Sequence, residues 1–91
     1  MAKPTLHVRI ISPQQVILDT IAQSVSSKNL QGAFDILPQH ANFITLTEES
    51  PIIVRIPNQK PLTFKFPLAI VLTTENQVNI YTYIQPSIER K

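Results

Sequence analysis

The sequence of 91 residues contains no cysteine and only one glycine, Gly32. Without cysteine the chain has no disulfide, no thiolate zinc ligand and no thiol nucleophile, which suits a reducing compartment. A single glycine cannot build the glycine-rich turns that hold phosphate groups in P-loops and dinucleotide-binding folds. It also cannot supply the G-x-S-x-G elbow of serine hydrolases. These absences exclude several large classes of enzyme.

Histidine is nearly as scarce, because His7 and His40 are the only imidazoles. No carboxylate cluster lies at the spacing of a metal site, so we expect neither a metal ion nor a cofactor. Asp35 and His40 flank Pro38, and an acid–base contact between them is one hypothesis. A histidine beside a surface turn is more often a hydrogen-bonding or interface residue, so we expect a protein that is not an enzyme.

Charged residues make up only 15% of the chain, and the net charge of +2 comes from 8 basic and 6 acidic residues dispersed along it. This small excess gives little reason to expect nucleic acid as a partner. The N-terminus lacks the apolar stretch of a signal peptide, and no apolar run approaches the roughly 20 residues needed to cross a bilayer. We therefore expect a soluble, intracellular protein that does not insert directly into a bilayer.

The abundant residues are those that favour strands. Isoleucine, valine and threonine together account for 27 residues, and their branched side chains pack well on a pleated surface. The 8 prolines, spread from Pro4 to Pro86, leave few windows in which a long helix runs unbroken. The composition predicts an all-β protein.

Alternating residues and short apolar runs between polar turns predict where the strands lie, although Ile17, Ile21 and Val25 also fit a helical stripe. The segments concerned are 6–10, 16–18, 20–27, 33–37, 43–47, 52–56, 62–66, 68–74 and 78–84. Polar turns separate them, and the last four form two hairpins. We predict a single small β-sandwich or flattened barrel of about eight to ten short, mostly antiparallel strands. It occupies residues 1–86, and residues 87–91 form a short C-terminal tail.

Aromatic residues on two predicted strands bear on function. Phe64 and Phe66 share one face, and Lys65 points away from them. Barrels of the OB type stack single-stranded nucleic acid on such aromatics, although packing in the core explains the pair more simply. Tyr81 and Tyr83 share one face of the last strand, and we expect that face to border solvent or a partner. Several strands are apolar on both faces, which suits a rigid module held by other proteins.

Two segments, taken together, carry a family resemblance. Residues 11–16 read ISPQQV, and residues 32–41 read GAFDILPQHA. In this order and spacing they resemble the epsilon subunit of F-type ATP synthases, whose β-sandwich has a corner of the form G-x-x-G-[IL]-L-P-G-H-A-P. The resemblance covers nearly the whole chain. It implies a non-catalytic rotor subunit of the central stalk, which couples gamma to the c-ring during proton-driven ATP synthesis at the cytoplasmic face of a bacterial plasma membrane.

The resemblance also implies roles for individual residues. Ser12, His40 and Thr45 would lie at the interface with gamma. The loop that contains Gln31, Gly32, Ala33 and Phe34 would face the polar loops of the c-ring. In this interpretation His40 is a docking residue and not a base.

The sequence departs from the family pattern at the corner. Asp35 and Gln39 replace two glycines, Asn42 replaces a proline, and Ala33 stands where the family has a glutamate. Residues other than glycine adopt positive φ at a cost, so we expect changed turn geometry at Asp35, Gln39 and Asn42. The charged contact to the c-ring that the resemblance implies at position 33 would therefore be missing.

The end of the chain is a further departure. Most bacterial epsilon subunits continue into a two-helix domain that can bind ATP and block rotation. This chain ends at Lys91 without an amphipathic helical pattern, so we expect no nucleotide site and no inhibition by helix insertion. The alternative function is that of a small OB-like barrel that binds single-stranded nucleic acid through Phe64 and Phe66.

Overall fold

The computed structural model describes residues 4–83, and every regular element in that range is a strand. The strands are β1 (Leu6–Ile11), β2 (Val16–Ala22), β3 (Ser24–Asn29), β4 (Gly32–Ile36), β5 (Phe43–Arg55), β6 (Leu62–Thr74) and β7 (Gln77–Tyr81). The all-β prediction is confirmed, whereas the predicted tail at 87–91 lies outside the described residues. No helix within residues 4–83 is long and apolar enough to span a membrane.

All seven strands belong to one hydrogen-bonded sheet in the order β2-β1-β7-β6-β5-β3-β4. Neighbouring strands are antiparallel except β1 and β7, which run parallel. The prediction of mostly antiparallel strands is therefore confirmed. Glu75 and Asn76 join β6 to β7, and both have positive φ, as a two-residue type I′ turn requires.

The sheet bends in the middle of its two longest strands, β5 and β6, which contain 13 residues each. The pairing of these strands is interrupted at Glu49, which has a φ of 51° and lies opposite Pro67 in the register. Proline has no N–H to donate, and Glu49 leaves the extended conformation, so the ladder is weakest here. The sheet folds over at this point.

The bend divides the sheet into two layers. Layer A contains β2, β1, β7, residues 68–74 of β6 and residues 43–48 of β5. Layer B contains β4, β3, residues 50–55 of β5 and residues 62–66 of β6. The inner faces of both layers contribute to one apolar cluster, so the molecule is a sandwich. The buried members are Leu6, Val8, Ile10, Ala22, Val25, Ile36, Ile52, Val54, Ala69, Val71, Val78 and Ile80.

The strands are fewer and longer than the sequence predicts. The breaks expected at residues 48–51 and at Pro67 fall at the bend, where the chain passes between layers without leaving the sheet. The break expected between residues 18 and 20 is wrong, because β2 continues to Ala22. The two predicted hairpins are confirmed as the β5–β6 and β6–β7 pairs.

Candidate docking surface

One row of apolar side chains crosses five neighbouring strands of layer A. Leu46 on β5 pairs with Ile70 on β6, and Ile70 pairs with Tyr81 on β7. Tyr81 pairs with Ile11 on β1, and Ile11 pairs with Val16 on β2. Directly paired residues project from the same face of a sheet, so these five side chains form a continuous row about 19 Å long, termed the apolar row.

The apolar row lies on the outer face of layer A and not in the core. The exposed fractions of four of its members lie between 40% and 48%. A sheet with one solvated face normally carries polar residues at such positions. Ile44 and Tyr83, which are 67% and 62% exposed, extend the apolar surface on either side of the row. A continuous exposed patch of this kind is typical of a protein interaction site.

Charged residues border the apolar row at its β1–β2 end. Nε2 of His7 lies 2.5 Å from Oδ1 of Asp19, and Nε of Arg9 lies 3.5 Å from Oδ2 of Asp19. The hydrogen bond to His7 holds the pKa of Asp19 below its ordinary value, and the charges of His7 and Arg9 act in the same direction. An apolar centre with a charged rim is the usual anatomy of a protein interface.

A shallow groove of about 340 Å³ lies where the apolar row meets the turn after β1. It is lined by Ile11, Ser12, Pro13, Ile70, Tyr81, Thr82 and Tyr83. Ser12 is buried, and its hydroxyl accepts a hydrogen bond from the Gln15 N–H and donates one to the Gln15 carbonyl, both at 3.2 Å. Ser12 therefore holds the β1–β2 turn in shape at the end of the row.

His40 lies in the corner between β4 and β5. Its Nδ1 is 2.7 Å from the carbonyl oxygen of Ala41, so Nδ1 carries the proton and donates it. The imidazole packs edge-on against Phe43, with 5.5 Å between ring centroids. Asp35, the acid considered as its partner, instead accepts a hydrogen bond from the Ser26 hydroxyl. The structure does not form an Asp35–His40 pair.

Thr45 lies on the inner side of β5. It pairs with the buried Val71, so its side chain points between the layers. Its Oγ1 accepts a 2.9 Å hydrogen bond from Nδ2 of Asn29 on β3, which ties layer A to layer B. The three residues expected at the gamma interface thus occupy three separate places. Ser12 borders the apolar row, Thr45 joins the layers, and His40 packs in the corner.

The loop expected to face the c-ring is the tip of the β3–β4 hairpin. Gly32 has a φ of 122°, a conformation that other residues rarely adopt, so the tip depends on its glycine. Gln31 and Ala33 are exposed beside it, whereas Phe34 is half-buried. Leu30, which the sequence pattern did not single out, is 96% exposed at the same tip.

Comparison with known proteins identifies the family. A family model described as the beta-sandwich domain of the ATP synthase delta/epsilon chain matches residues 5–84. The chain belongs to this family. The resemblance inferred from the two sequence segments is confirmed.

Two curated relatives are ATP synthase epsilon chains. The one from a Nitratiruptor species is 29% identical over 73 residues, which cover 80% of this chain and 57% of the relative. The one from Moorella thermoacetica is 35% identical over 51 residues, which cover 56% of this chain and 38% of the relative. The chain therefore spans only part of the length of these relatives.

Solved structures share the fold of this chain. One match is a chain of the Euglena gracilis mitochondrial ATP synthase OSCP/F1/c-ring structure, with a TM-score of 0.81, 12% identity, and coverage of 88% of this chain and 51% of that chain. Another is a chain of the Tetrahymena thermophila mitochondrial ATP synthase central stalk/c-ring structure, with a TM-score of 0.73, 14% identity, and coverage of 92% and 67%. At these identities the likeness establishes a shared fold.

This delta/epsilon domain builds the family corner from unusual residues. Gln39 has a φ of 68°, so it adopts the left-handed conformation that a glycine holds without strain. Its N–H donates to Oδ1 of Asn76 in the β6–β7 turn, which offsets part of that cost. Asp35 lies within β4, and Asn42 precedes β5 without positive φ. Of the three replaced turn positions, only Gln39 is strained.

Most of the apolar row of this delta/epsilon domain is not predicted by local patterns in the sequence. The tyrosine face of the last strand predicts one of its members, Tyr81. Ile70 lies in the run LAIVL, which is apolar on both faces and so signals burial on both sides. Val16 and Leu46 are far apart in the sequence, and only the strand order brings them into one row.

Proposed function

We propose that this chain is a central-stalk subunit of the rotor of a proton-translocating F-type ATP synthase, where it couples gamma to the c-ring during ATP synthesis. The observation that carries the proposal is the apolar row on the outer face of a delta/epsilon sandwich. Such a surface stabilises an interface by burying apolar area and requires no bond chemistry. The chain is a non-catalytic subunit in this proposal.

Gamma docks on the apolar row. The row lies on paired strands, so its side chains are held at fixed spacing and lose little further freedom on binding. Tyr81, at the centre of the row, has the large ring and polar hydroxyl that often dominate interface energies. Ser12 contacts gamma at the end of the row. His40 and Thr45 contribute to the same interface by fixing the corner and the inter-layer bond that hold β5 in place.

The β3–β4 tip faces the c-ring in this proposal. Leu30, Gln31 and Ala33 are exposed there, and Gly32 gives the tip its shape. Because an alanine replaces the family glutamate, the contact depends on apolar area from Leu30 and hydrogen bonds from Gln31 instead of a charge pair. The stiff sandwich that carries both the tip and the apolar row then transmits torque from one partner to the other.

The proposal includes no catalytic, metal or cofactor role. His40 and Asp35 are each hydrogen-bonded to other groups. Within residues 4–83, no group of three or more His, Asp or Glu side chains is placed to hold a metal ion. In the cell the chain would be a peripheral subunit at the cytoplasmic face of a bacterial plasma membrane.

The test is co-expression with the cognate gamma subunit, followed by size-exclusion chromatography at micromolar concentration. We expect the two proteins to elute together. Ile70→Asp should elute separately from gamma, because it would bury a carboxylate without a partner. Thr63→Asp, an exposed position on layer B, is the matched control and should still co-elute. Separate elution of the two folded wild-type proteins would overturn the proposal.

Nucleic-acid binding, the alternative function, has less support. Phe64 and Phe66 stack on each other with 6.1 Å between ring centroids, and both pack against the core. Both rings are partly buried, which leaves less of each ring open to a base than an exposed stacking platform would. We expect Phe64→Ala to leave the titration of a fluorescent single-stranded oligonucleotide unchanged. Saturable binding that Phe64→Ala abolishes in a folded protein would favour the alternative.

A further inference from the structure

The charged residues of the described chain are divided between the two layers. Layer B and its β5–β6 loop carry four cations and one carboxylate, which are Lys28, Arg55, Lys60, Lys65 and Asp35. Layer A, the bend and the β6–β7 turn carry one arginine and four carboxylates, which are Arg9, Asp19, Glu48, Glu49 and Glu75. The small net charge of the sequence therefore conceals a strongly polarised molecule.

The cations of layer B project from its outer face. Lys65 pairs with Pro51, and the register of β3 on β5 places Lys28 level with Pro51 on the other side. The backbones of the two lysines are thus about 10 Å apart, across two strand spacings. Arg55 lies four positions further along β5, about 13 Å away, on the same face. Lys28, Arg55 and Lys65 are all exposed.

None of these cations forms a direct ion pair within residues 4–83. Nη1 of Arg55 donates to the Ser26 hydroxyl at 2.7 Å, and that hydroxyl donates to Oδ1 of Asp35. Asp35 is therefore linked to Arg55 only through the serine and pairs directly with none of the cations. The ion pairs of the described chain join Asp19 to His7 and Arg9, all in layer A. Lys28 and Lys65 are left as open charges on the outer face of layer B.

We propose that the outer face of layer B rests against an anionic lipid surface. A single small anion needs donors that converge on it, whereas these lysines are spread over a flat sheet. An acidic protein partner is usually bound by arginines in bidentate pairs, whereas this face has a single arginine, one nitrogen of which already donates to Ser26. Dispersed lysine charges on flexible stems fit a surface whose negative charges are themselves dispersed and mobile.

Lys65 and Arg55 lie away from the apolar row, whereas Lys28 also borders a groove that Leu46 and Glu48 line. The proposal does not rest on the proposed coupling function, and it is tested without gamma. Attraction to a charged bilayer weakens as salt screens it, whereas burial of the apolar row does not. Salt therefore separates the two kinds of contact in experiments.

The test uses the full 91-residue chain and sedimentation with vesicles of phosphatidylglycerol and phosphatidylcholine in equal parts. We expect binding at low ionic strength that disappears at high salt and with pure phosphatidylcholine. Lys65→Gln should lower the partition coefficient about fivefold, and Lys28→Gln with Lys65→Gln about 25-fold. Arg9→Gln removes the same charge from layer A and is the matched control, expected to bind like wild type.

Three outcomes would overturn the proposal. Equal losses of vesicle binding for Arg9→Gln and Lys65→Gln would show that binding depends on the net charge of the protein and not on the lysines of layer B. Binding to soluble polyglutamate without binding to the anionic vesicles would show that this face binds an acidic protein and not a membrane. Absence of vesicle binding at low salt, with the protein folded by circular dichroism, would remove the membrane contact altogether.

Discussion

The outer faces of layers A and B differ in chemistry although their inner faces share one core. Layer A presents the apolar row, and layer B presents Lys28, Lys65 and the hydrogen-bonded Arg55–Ser26–Asp35 chain. Strands of both layers alternate buried positions with half-buried or exposed ones, as β1 and the second half of β5 illustrate. The inward-facing side chains of this alternating pattern therefore form the core that stabilises the fold. The other side chains are left free to define its partners.

The two faces also act over different ranges. Burial of the apolar row requires contact and depends little on salt, because it removes apolar area from water. The charges of layer B act over about 10 Å at moderate ionic strength and are screened beyond that distance. A rotor subunit with these two faces would hold one partner tightly and another loosely.

The largest expected effect is a difference in the free energy of unfolding between substitutions on the inner and outer faces of layer A. Ile80 is fully buried on β7, whereas Ile70 on the neighbouring β6 is 42% exposed. Ile80→Ala should lower the free energy of unfolding by about 2–4 kcal/mol, because it leaves a cavity in the core. Ile70→Ala should lower it by less than about 1 kcal/mol. Urea titration of both variants gives the comparison, and equal losses would mean that the apolar row is not an outer surface.

The next effect tests whether the outer faces of the two layers differ in gamma binding. Tyr81→Ala should weaken binding of the cognate gamma by about 2 kcal/mol, since it removes a large aromatic anchor from the centre of the row. Thr63→Ala, on the outer face of layer B, should change the affinity by less than about 0.5 kcal/mol. Calorimetric titration measures both. A larger loss of affinity for Thr63→Ala than for Tyr81→Ala would indicate that gamma binds to layer B.

Local patterns in the sequence predict the inner faces well. Leu6, Val8 and Ile10 alternate with polar residues, and the structure buries all three. The breaks between strands are predicted less well, because Pro67 and Glu49 look like turn residues but produce a bend within continuous strands. Proline signals the loss of a backbone donor, and only the partner strand determines whether the ladder resumes beyond it.

The outer faces are harder to predict because they depend on strand order. The parallel β1–β7 pair joins the first and last strands of the described chain and brings Ile11 beside Tyr81. No local pattern specifies that pairing, since it links segments separated by most of the sequence. The division of charge between the layers is equally invisible, because Lys28 and Lys65 become neighbours of Pro51 only in the folded sheet.

A smaller effect is expected at the corner that leads from layer B to layer A. Gln39 adopts a left-handed conformation there, with a φ of 68°. Gln39→Gly should raise the free energy of unfolding by about 0.5–1 kcal/mol, because glycine adopts this conformation without strain and the backbone bond to Asn76 is kept. Gln59→Gly, in the β5–β6 loop without positive φ, is the control and should not stabilise the protein. Thermal unfolding compares the two, and a destabilising Gln39→Gly would show that its side chain matters more than its backbone.

The smallest expected effect concerns the charged rim of layer A. The hydrogen bond to His7 lowers the pKa of Asp19 in the folded protein, and Arg9 supports that shift. A carboxylate of this kind stabilises the fold above its unfolded pKa of about 3.9, and the stabilisation is lost as the pH falls through the lowered folded value. The contribution is small because water screens an exposed pair. Asp19→Asn removes the difference between the two states.

Urea midpoints measured from pH 6 downward therefore separate the variants. Below about pH 4 the wild-type midpoint should fall more steeply than that of Asp19→Asn, because only the wild type loses an ionised Asp19. Glu75→Gln, which removes a carboxylate without an ion pair in the described chain, should keep the wild-type slope. If Asp19→Asn kept that slope as well, the rim would border the apolar row without stabilising it. The ion pairs of Asp19 would then add nothing to the stability of layer A, and the outer faces of the two layers would differ only in what they bind.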